Sequence, residues 1–378
     1  MKKLKLSNQR TESFFDLIDY GILIPVILIT FIGLYVLNIV LAAGYGSGDY
    51  PSNLLRQGIA VMIGFVLAIL ICLLDIPTLR LLGYVIYAVA LVLLLLVKVD
   101  GYVVPGTGAD SWVRLPLLGS FQPSELAKAG IALTVAEQFA EIKEQRKSVL
   151  AGLSCIALLC AVPLALIITE PDFGTAFVIV LMITAMLFVW GLSWRWIIGL
   201  SLGAVISLPL MWFFFFAEYQ KKRILTFLFP GHNAADDYHI KQALAAIRTG
   251  GLTGSKIDTP VPVKESDFIF TAVAEYLGFI GIAVLLLLIV IFMVRSIKLA
   301  VQVVEMDWMC SYVLVGLLTG LAFHYLENMG MNIGLLPITG IPLPFVSYGG
   351  SSMIVNYISL GIILNVAINF KQWRISGT

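Results

Sequence analysis

The chain has 378 residues, of which 60% are hydrophobic and 12% are charged, and its formal net charge at pH 7 is +1. Ordinary globular proteins carry about 25% charged residues, so this composition excludes a soluble globular fold and indicates a protein surrounded by membrane lipid. The near-neutral charge, without basic clusters interleaved with aromatic residues, argues against a nucleic-acid partner. The cysteines lie in apolar stretches and show neither a disulfide framework nor zinc-ligand spacing: Cys72, Cys155, Cys160 and Cys310.

Apolar stretches long enough to cross a bilayer predict an all-α polytopic membrane protein with about ten transmembrane helices. The first of these stretches lacks a signal-peptide cleavage site, and no separate soluble domain is indicated, so residues 1–378 are interpreted as one integral-membrane domain. The fourth predicted helix is short. The predicted helices lie near residues 20–43, 54–74, 79–98, 124–140, 149–169, 172–191, 194–216, 268–294, 309–328 and 351–370.

The distribution of Lys and Arg predicts the orientation of these helices. An even number of spans places both termini on one side of the membrane, and the short outer segments hold only Arg56, Lys98 and Arg114. The positive-inside rule therefore predicts cytoplasmic termini in the cytoplasmic membrane. The basic residues on the predicted inner side are Lys2, Lys3, Lys5, Arg10, Arg80, Lys143, Arg146, Lys147, Arg195, Arg295, Lys298, Lys371 and Arg374.

Three segments are then predicted to face outward: residues 99–123, 217–266 and 329–350. The first is rich in Gly and Pro, as in a loop that dips into the membrane interface. The second contains "DYHIKQALAAIR", where apolar residues at helical spacing predict a short helix on the membrane surface. The third is hydrophobic but interrupted by Gly and Pro. Irregular backbone at membrane depth is tolerated only when it is buried in protein or lines a wet cavity.

Four ionisable residues lie at the outer ends of predicted spans: Glu125, Lys128, Asp172 and Asp267. A charge in hydrocarbon costs about 2.5–3.5 kcal/mol on insertion scales, so such groups normally face a partner or a water-filled cavity. Each also has a purely structural interpretation, because the aspartates could cap helices and Glu125 could pair with Lys128 three residues later. Their convergence on one side of the membrane favours a shared cavity.

Two further sequence features are predicted on the outer side of the membrane. Lys221 and Lys222 fit interfacial snorkelling, whereas the adjacent Arg223 could bind a phosphate in a bidentate manner. "SYGGSS" at residues 347–352 could present backbone N–H groups to an anion at a helix N-terminus, or could be a simple glycine-rich turn. The histidines show no metal-ligand spacing: His232, His239 and His324.

Six motifs, in order along the chain, resemble the SEDS family of bacterial cell-wall polymerases. They are "SFQPSELAK", "TEPDFGTA", "YQKKRILTFLFP", "DYHIKQALAAIRTGG", "ESDFIFTAVAEYLGFIG" and "GLLPITGIPLPFVSYGGSS". The resemblance implies a ten-helix membrane glycosyltransferase that polymerises lipid II into glycan strands. "YHIKQ" and the brief N-terminal tail are more similar to RodA, the elongation member of the family, than to FtsW, the division member.

The resemblance also assigns roles to residues. The essential aspartate of the family matches Asp267, and the other matching positions bind substrate or a cation: Glu125, Lys128, Asp172, Arg223, Gln242, Ser347, Gly349 and Gly350. Glu125 and Asp172 could hold a divalent cation, Mg or Mn, or could orient Lys128; no nucleotide is expected. The family usually has Pro-Glu-any-His-Thr before the aspartate, whereas this chain has Pro-Val-Lys-Glu-Ser at residues 262–266, which leaves the geometry of that loop open.

The chemistry of the reaction suggests how these groups would act. We expect Asp267 to serve as general base on the acceptor hydroxyl, while Arg223, Lys128 or a divalent cation offsets the charge on the leaving pyrophosphate. Family membership further implies a class B penicillin-binding protein and other elongation or division machinery as partners. Two other functions remain open: a lipid II flippase or ion-coupled transporter, and a non-catalytic scaffold for cell-wall enzymes.

Overall fold

The structure is a computed structural model that describes residues 14–44, 52–101, 111–115, 119–214, 216, 218–229 and 234–377. Within these ranges the chain forms helices and one short β-hairpin. The helices are α1 (Phe14–Leu17), α2 (Tyr20–Ala42), α3 (Ser52–Cys72), α4 (Ile76–Asp100), α5 (Pro123–Lys143), α6 (Val149–Ile168), α7 (Phe173–Trp190), α8 (Trp194–Phe214), α9 (Glu218–Leu228), α10 (Ala234–Gly250), α11 (Ile269–Gln302), α12 (Trp308–Asn332) and α13 (Gly350–Ser376). The hairpin pairs β1 (Val113–Leu115) antiparallel with β2 (Gly119–Phe121).

Each of the ten predicted transmembrane helices coincides with a long helix, so the all-α polytopic architecture is confirmed. Eight helices of the described chain are long and apolar enough to cross a membrane. The other two long helices are α5 and α8. Nearly every residue of α5 is buried in protein, because neighbouring helices surround it on all sides. A helix shielded from lipid in this way can carry polar residues such as Glu125 and Lys128.

Helices α12 and α13 form the interior of the bundle. In their most apolar windows, 72% of α12 and 94% of α13 are buried within the protein. Helix α13 packs closely on α3, where Gly64 lies against Tyr357 and Gly361 lies against the backbone of Ala68. Small residues at such crossings let helix backbones approach closely. Between helices surrounded by lipid, this van der Waals packing stabilises association where the hydrophobic effect does not. These two helices therefore provide a rigid base for the segments above them.

Helix α11 is interrupted at Gly278, which has φ 67° and ψ −166°. The interruption exposes backbone groups that a continuous helix would pair internally. The preceding loop satisfies them: Phe279 N donates to Gly251 O at 2.9 Å, and Ser255 N donates to Glu275 O at 2.8 Å. An added Cβ at Gly278 would lie 2.5 Å or less from this loop, so glycine is required there. The sequence predicted one uninterrupted helix in this region.

The outer segments contain more helix than predicted. The basic sequence around Arg223 forms α9, which was expected to be loop, and α10 confirms the predicted short helix. The apolar face of α10 packs on protein, since Ala243 and Ala246 are fully buried in a cluster with Phe268 and Met331. The predicted loop 99–123 has residues 102–110 and 116–118 outside the described residues, so its expected dip into the interface is not tested.

Polar contacts identify which helix ends lie together. At the end opposite Asp267, Arg80 Nη1 lies 3.0 Å from Glu137 Oε1, and Arg80 Nη2 lies 2.5 Å from Asp307 Oδ2. At that same end, Lys371 Nζ donates to the Asp16 carbonyl oxygen at 3.0 Å, so the first and last described helices meet. Both ends of the described chain are thus on one side of the bundle, as an even number of spans requires.

Candidate active site

Asp267 lies half-buried at the entrance to α11 and does not cap that helix. Its side chain accepts a hydrogen bond from Ser266 Oγ at 3.1 Å. Its carbonyl oxygen accepts from Asn328 Nδ2 at 3.0 Å and from Asn332 Nδ2 at 2.9 Å, which fixes the backbone. The N–H of Thr271, in the first turn of α11, is satisfied by Asn332 Oδ1 at 3.0 Å instead. The capping interpretation of Asp267 is therefore not supported, and its carboxylate is left for another role.

Arg223 and Asp267 face the same residue of the loop between α12 and α13. A Cβ added to Gly340 would lie 3.4 Å from Asp267 Oδ2 and 3.9 Å from Arg223 Nη1. Burial raises the pKa of Asp267 above its ordinary value, while the Ser266 hydrogen bond and the Arg223 charge oppose that rise. Gly340 has φ 78°, so glycine is favoured there by backbone conformation as well as by space.

The loop before Asp267 is anchored by Lys264, a residue that sequence reasoning did not select. Lys264 is fully buried. Its ammonium contacts Asp258 Oδ1 at 2.9 Å, the Tyr276 hydroxyl at 3.2 Å and the carboxylate of the equally buried Glu275. Glu275 also accepts from Thr259 N at 2.8 Å. This chain's departure from the family motif thus coincides with a buried ion pair that holds residues 258–264 onto the first turns of α11.

Glu125 and Lys128 form a buried pair on α5, as their spacing predicted. Lys128 Nζ lies 2.8 Å from Glu125 Oε1 and 2.8 Å from His324 Nε2 on α12. The imidazole of His324 also faces the backbone of Pro342. A small cavity of about 30 Å³ lies beside this cluster, with Asn356 among its lining residues. Such a volume holds about one water molecule.

Asp172 connects the N-termini of α5 and α7. Its Oδ1 accepts from Thr175 N at 3.1 Å, so the predicted helix cap is present. Its Oδ2 accepts from Gln122 Nε2 and from Ser124 Oγ, both at 2.9 Å. Asp172 thus contacts Ser124, the residue that directly precedes Glu125 in the sequence. This explains why the two acidic motifs converge, although Asp172 itself is satisfied by neutral donors.

Glu170 is a second residue that sequence reasoning did not select, although it lies inside the "TEPDFG" motif. It is buried, and neither carboxylate oxygen has a hydrogen-bond partner among the described residues. Burial raises the pKa of Glu170 to about 8; Lys98 opposes this rise and the nearby Asp172 adds to it. Burial therefore favours the neutral form of this side chain.

One loop, residues 339–343, lies against Asp267, Arg223 and His324 and also contacts Glu327. Thr339 Oγ1 donates to Glu327 Oε1 at 2.5 Å, and the Ile341 carbonyl oxygen accepts from Asn328 Nδ2 at 2.8 Å. Between them Gly340 lies against Asp267 and Arg223, and after them Pro342 meets His324. Within this loop Ile341 and Leu343 are 6% and 1% exposed, whereas Thr339 is exposed. No direct contact joins Asp267 to Glu125, Lys128 or Asp172 in the described chain, and the loop approaches Lys128 only through His324.

The glycine-rich segment before α13 plays a structural part. Ser347 Oγ donates to the Ser266 carbonyl oxygen at 2.7 Å and accepts from Leu343 N at 2.8 Å. The Gly349 N–H donates to Gln57 Oε1 at 3.1 Å, so it is not open to an anion, and Gly350 begins the helix. Gln242 lies half-exposed on α10, and no hydrogen bond joins its side chain to another described residue.

The acidic residues that the structure describes do not gather into a metal centre. Within the described ranges, no group of three or more His, Cys, Asp or Glu residues could hold a metal ion. Glu125 is paired with Lys128, and both oxygens of Asp172 accept hydrogen bonds from protein donors. We therefore assign no step of the chemistry to a metal, and the requirement for a divalent cation stays a hypothesis.

Comparison with known proteins identifies the family. A family model for FtsW, RodA and SpoVE, described as cell cycle protein, matches residues 19–372. The chain belongs to this family. The predicted resemblance is thereby confirmed, and the match includes each of the six motifs on which it was based.

Several relatives are similar over most of their length. The chain is 34% identical over 317 residues to peptidoglycan glycosyltransferase MrdB of Escherichia coli (strain K12), covering 81% of this chain and 84% of the relative. A chain from a structure of a peptidoglycan synthase complex superposes with a TM-score of 0.78 at 31% identity, covering 94% and 99% of the two chains. Thermus thermophilus RodA gives a TM-score of 0.68 at 30% identity, covering 93% and 96%.

Proposed function

We propose that this member of the family is a peptidoglycan glycosyltransferase that polymerises lipid II at the outer face of the cytoplasmic membrane, with Asp267 as general base. The observation that carries the proposal is the state of the Asp267 carboxylate. It is half-buried, caps no helix and shares Gly340 with the guanidinium of Arg223. The family membership and the glycosyltransferase names of relatives covering about four fifths of the chain support the same activity.

The proposed step is an inverting displacement. Asp267 accepts the proton of the acceptor's GlcNAc 4-hydroxyl as that oxygen forms a bond to the anomeric carbon of the donor. The bond between the anomeric carbon and the pyrophosphate oxygen breaks, and undecaprenyl pyrophosphate leaves with the electron pair. A carboxylate whose pKa is raised by burial is a better base than an exposed one, because general bases act most efficiently when their pKa is near the working pH.

Two cations support the proposed departure of the pyrophosphate. Arg223 faces the same loop residue as Asp267. The N–H groups of its planar guanidinium can bind two oxygens of one phosphate. Lys128 is buried with one carboxylate and one imidazole as its partners, which leaves one of its three ammonium hydrogens for a ligand. We propose that these cations offset the charge that develops on the pyrophosphate. Polymerisation measured with EDTA and after adding Mg²⁺ or Mn²⁺ tests the remaining question of a divalent cation.

Replacing Asp267 by Asn tests the assignment. Asn keeps the size of the side chain but cannot accept the proton, so we expect glycan synthesis by the purified full-length chain to fall by about 10²–10⁴-fold. Glu218→Gln is the matched control: Glu218 lies on α9 with a side chain 80% exposed, so its substitution should leave the rate unchanged. Labelled lipid II as substrate, with products sized by electrophoresis, gives the rate.

Two results would contradict the proposal. Full activity of Asp267→Asn would favour the scaffold, because the shape of the side chain would then suffice. Transfer of lipid II between leaflets of vesicles by a protein that makes no polymer would favour the flippase.

We further propose a class B penicillin-binding protein as partner, since the structural relative with TM-score 0.78 belongs to a complex described as coordinating polymerization and crosslinking.

A further inference from the structure

His324 joins the buried Lys128 to the loop beside Asp267, and the proposed reaction has not yet used it. Lys128 Nζ lies 2.8 Å from His324 Nε2. An ammonium group can only donate hydrogen bonds, so Nε2 must accept, and the imidazole must be neutral with its hydrogen on Nδ1. The network therefore fixes both the protonation state and the tautomer of this ring.

The second contact of the imidazole agrees with that tautomer. The ring also faces the backbone of Pro342. Proline has no backbone N–H, so the Pro342 carbonyl oxygen is the acceptor that faces the ring, and the histidine can only be the donor in this contact. His324 is 7% exposed, so solvent offers little replacement for either bond. An imidazole used as a donor on one side and as an acceptor on the other is held in one orientation.

Pro342 lies two residues after Gly340, the residue that Asp267 and Arg223 both face. Ile341, between them, is held by Asn328, which also binds the Asp267 carbonyl oxygen. A short, well-anchored stretch of backbone therefore separates the Pro342 carbonyl from the proposed base. His324 contacts both the Lys128 ammonium and this stretch of backbone, so the position of the ammonium depends on the loop.

We infer that His324 is a positioning residue: through its hydrogen bond to Lys128 and its contact with Pro342, the ring sets the distance between the Lys128 ammonium and the loop that borders Asp267. The inference rests on the proposed function, in which Lys128 offsets charge on the leaving pyrophosphate. His324 need not touch substrate. It places the cation where the departing phosphate needs it, and it prevents the ammonium from rotating fully onto Glu125.

The choice of replacement separates this role from simple packing. In His324→Gln the amide oxygen can accept from Lys128 and the amide nitrogen can donate to Pro342, so both bonds can be kept. In His324→Leu a side chain of similar bulk keeps neither. We expect polymerisation by the full-length Gln variant to stay within about fivefold of the wild type. We expect kcat of the Leu variant to fall by about 10²-fold, the effect of an ångström-scale misplacement in an active site.

A double substitution tests whether His324 acts through Lys128. If it does, His324→Leu should cost little further activity in a Lys128→Met background, because coupled residues are not additive. Additive losses would overturn the inference, as would equal losses in the Gln and Leu variants. Size-exclusion profiles and melting temperatures in detergent show whether each variant is folded. If the Leu variant does not fold, nitrogen NMR of histidine-labelled wild-type protein still decides, because the chain has only three histidines.

The NMR signal assigned by its loss in His324→Gln should be that of a neutral ring with hydrogen on Nδ1. A doubly protonated ring, or hydrogen on Nε2, would overturn the inference. Failure of the proposed function looks different. In that case Asp267→Asn would retain activity, whatever the His324 variants do. If instead Lys128→Met is active and Asp267→Asn is inactive, the role of His324 is refuted and Asp267 remains the proposed base.

Discussion

The pKa of Asp267 is set by burial on one side and by two neighbouring residues on the other. Burial disfavours the charged carboxylate and raises its pKa, while the Ser266 hydrogen bond and the positive charge of Arg223 lower it. The net result is a raised pKa in a group that is only half-buried and can still meet a substrate. Arg223 therefore has two proposed roles that can be measured separately: it binds the leaving group, and it keeps the base ionised.

The second role predicts a change in pH dependence. Asp267 accepts a proton only when ionised, so kcat/KM should fall as the pH drops through its pKa, and this acidic limb should lie above the pH expected for an exposed aspartate. Arg223→Gln removes the charge that lowers the pKa, so the limb should move to still higher pH. The measurement is the kcat/KM profile for lipid II polymerisation.

Lys222→Gln is the matched control for this shift. Lys222 adjoins Arg223 on α9 but is exposed, so its loss should leave the acidic limb where it is. A limb that stays in place in Arg223→Gln, or that moves to lower pH, would show that the guanidinium does not act on the ionisation of Asp267.

Some site residues could be predicted from sequence and others could not. Asp267, Glu125 and Lys128 were evident because charges next to apolar stretches are rare and costly. His324 was not, because a single histidine within an apolar helix more often completes a core, and its partner Lys128 is distant along the chain. The approach of Arg223 to Asp267 depends on the loop at Gly340, and no spacing in the sequence indicates it.

At the scale of elements, the interruption of α11 determines how the loop carrying Asp267 is held. The loop pairs with the backbone freed at Gly278, and Lys264 then fixes it through Glu275 and Asp258. Val263, directly before this lysine, has φ 53°, a conformation rarely adopted by a β-branched residue. A buried ion pair next to a strained residue is expected where a loop must keep one geometry.

Removing the lysine should therefore destabilise this loop strongly. Lys264→Met leaves Glu275 buried without its cation, and breaking a buried ion pair from one side costs about 3–5 kcal/mol. We expect a lower melting temperature in detergent and faster proteolysis within residues 251–268. The double substitution Lys264→Met, Glu275→Gln removes the unpaired charge and keeps an acceptor for Thr259 N, so it should recover more than half of the lost stability.

Lys256→Met is the control, because Lys256 is an exposed lysine in the same segment. It should change neither the melting temperature nor the proteolysis. If the single Lys264 variant and the double variant are equally unstable, the ion pair is not what anchors the loop, and packing of the lysine stem would explain the loss instead.

The elements that could be predicted are those with a simple hydropathy signal. The ten long helices follow from continuous apolar stretches, and α10 follows from its helical periodicity. Helix α9 was missed because its charged residues resemble a polar connection. The break at Gly278 was missed because one glycine in a long apolar stretch is compatible with an uninterrupted helix. Only the contact with Leu252 and Gly254 shows why glycine is needed there.

For the whole molecule, the two ends of the bundle have different characters. One end carries the proposed site, with the loop 339–343 beside it. The other carries the network of Arg80, Glu137 and Asp307, and also the contact of Lys371 with Asp16. On the positive-inside rule, we propose that this second end faces the cytoplasm. That orientation is needed for the function, because lipid II is proposed to be polymerised on the outer face.

The orientation predicts which introduced cysteines can be labelled from outside intact cells. In a Cys155→Ser background, where the remaining cysteines are buried, Leu252→Cys lies in the loop before Asp267 at a position 70% exposed, and Ser376→Cys lies at the exposed end of α13. A membrane-impermeant maleimide should label the cysteine at 252 in intact spheroplasts and the one at 376 only after permeabilisation. Each variant serves as control for the other. The reverse pattern would place Asp267 on the cytoplasmic side, where the proposed polymerisation could not occur.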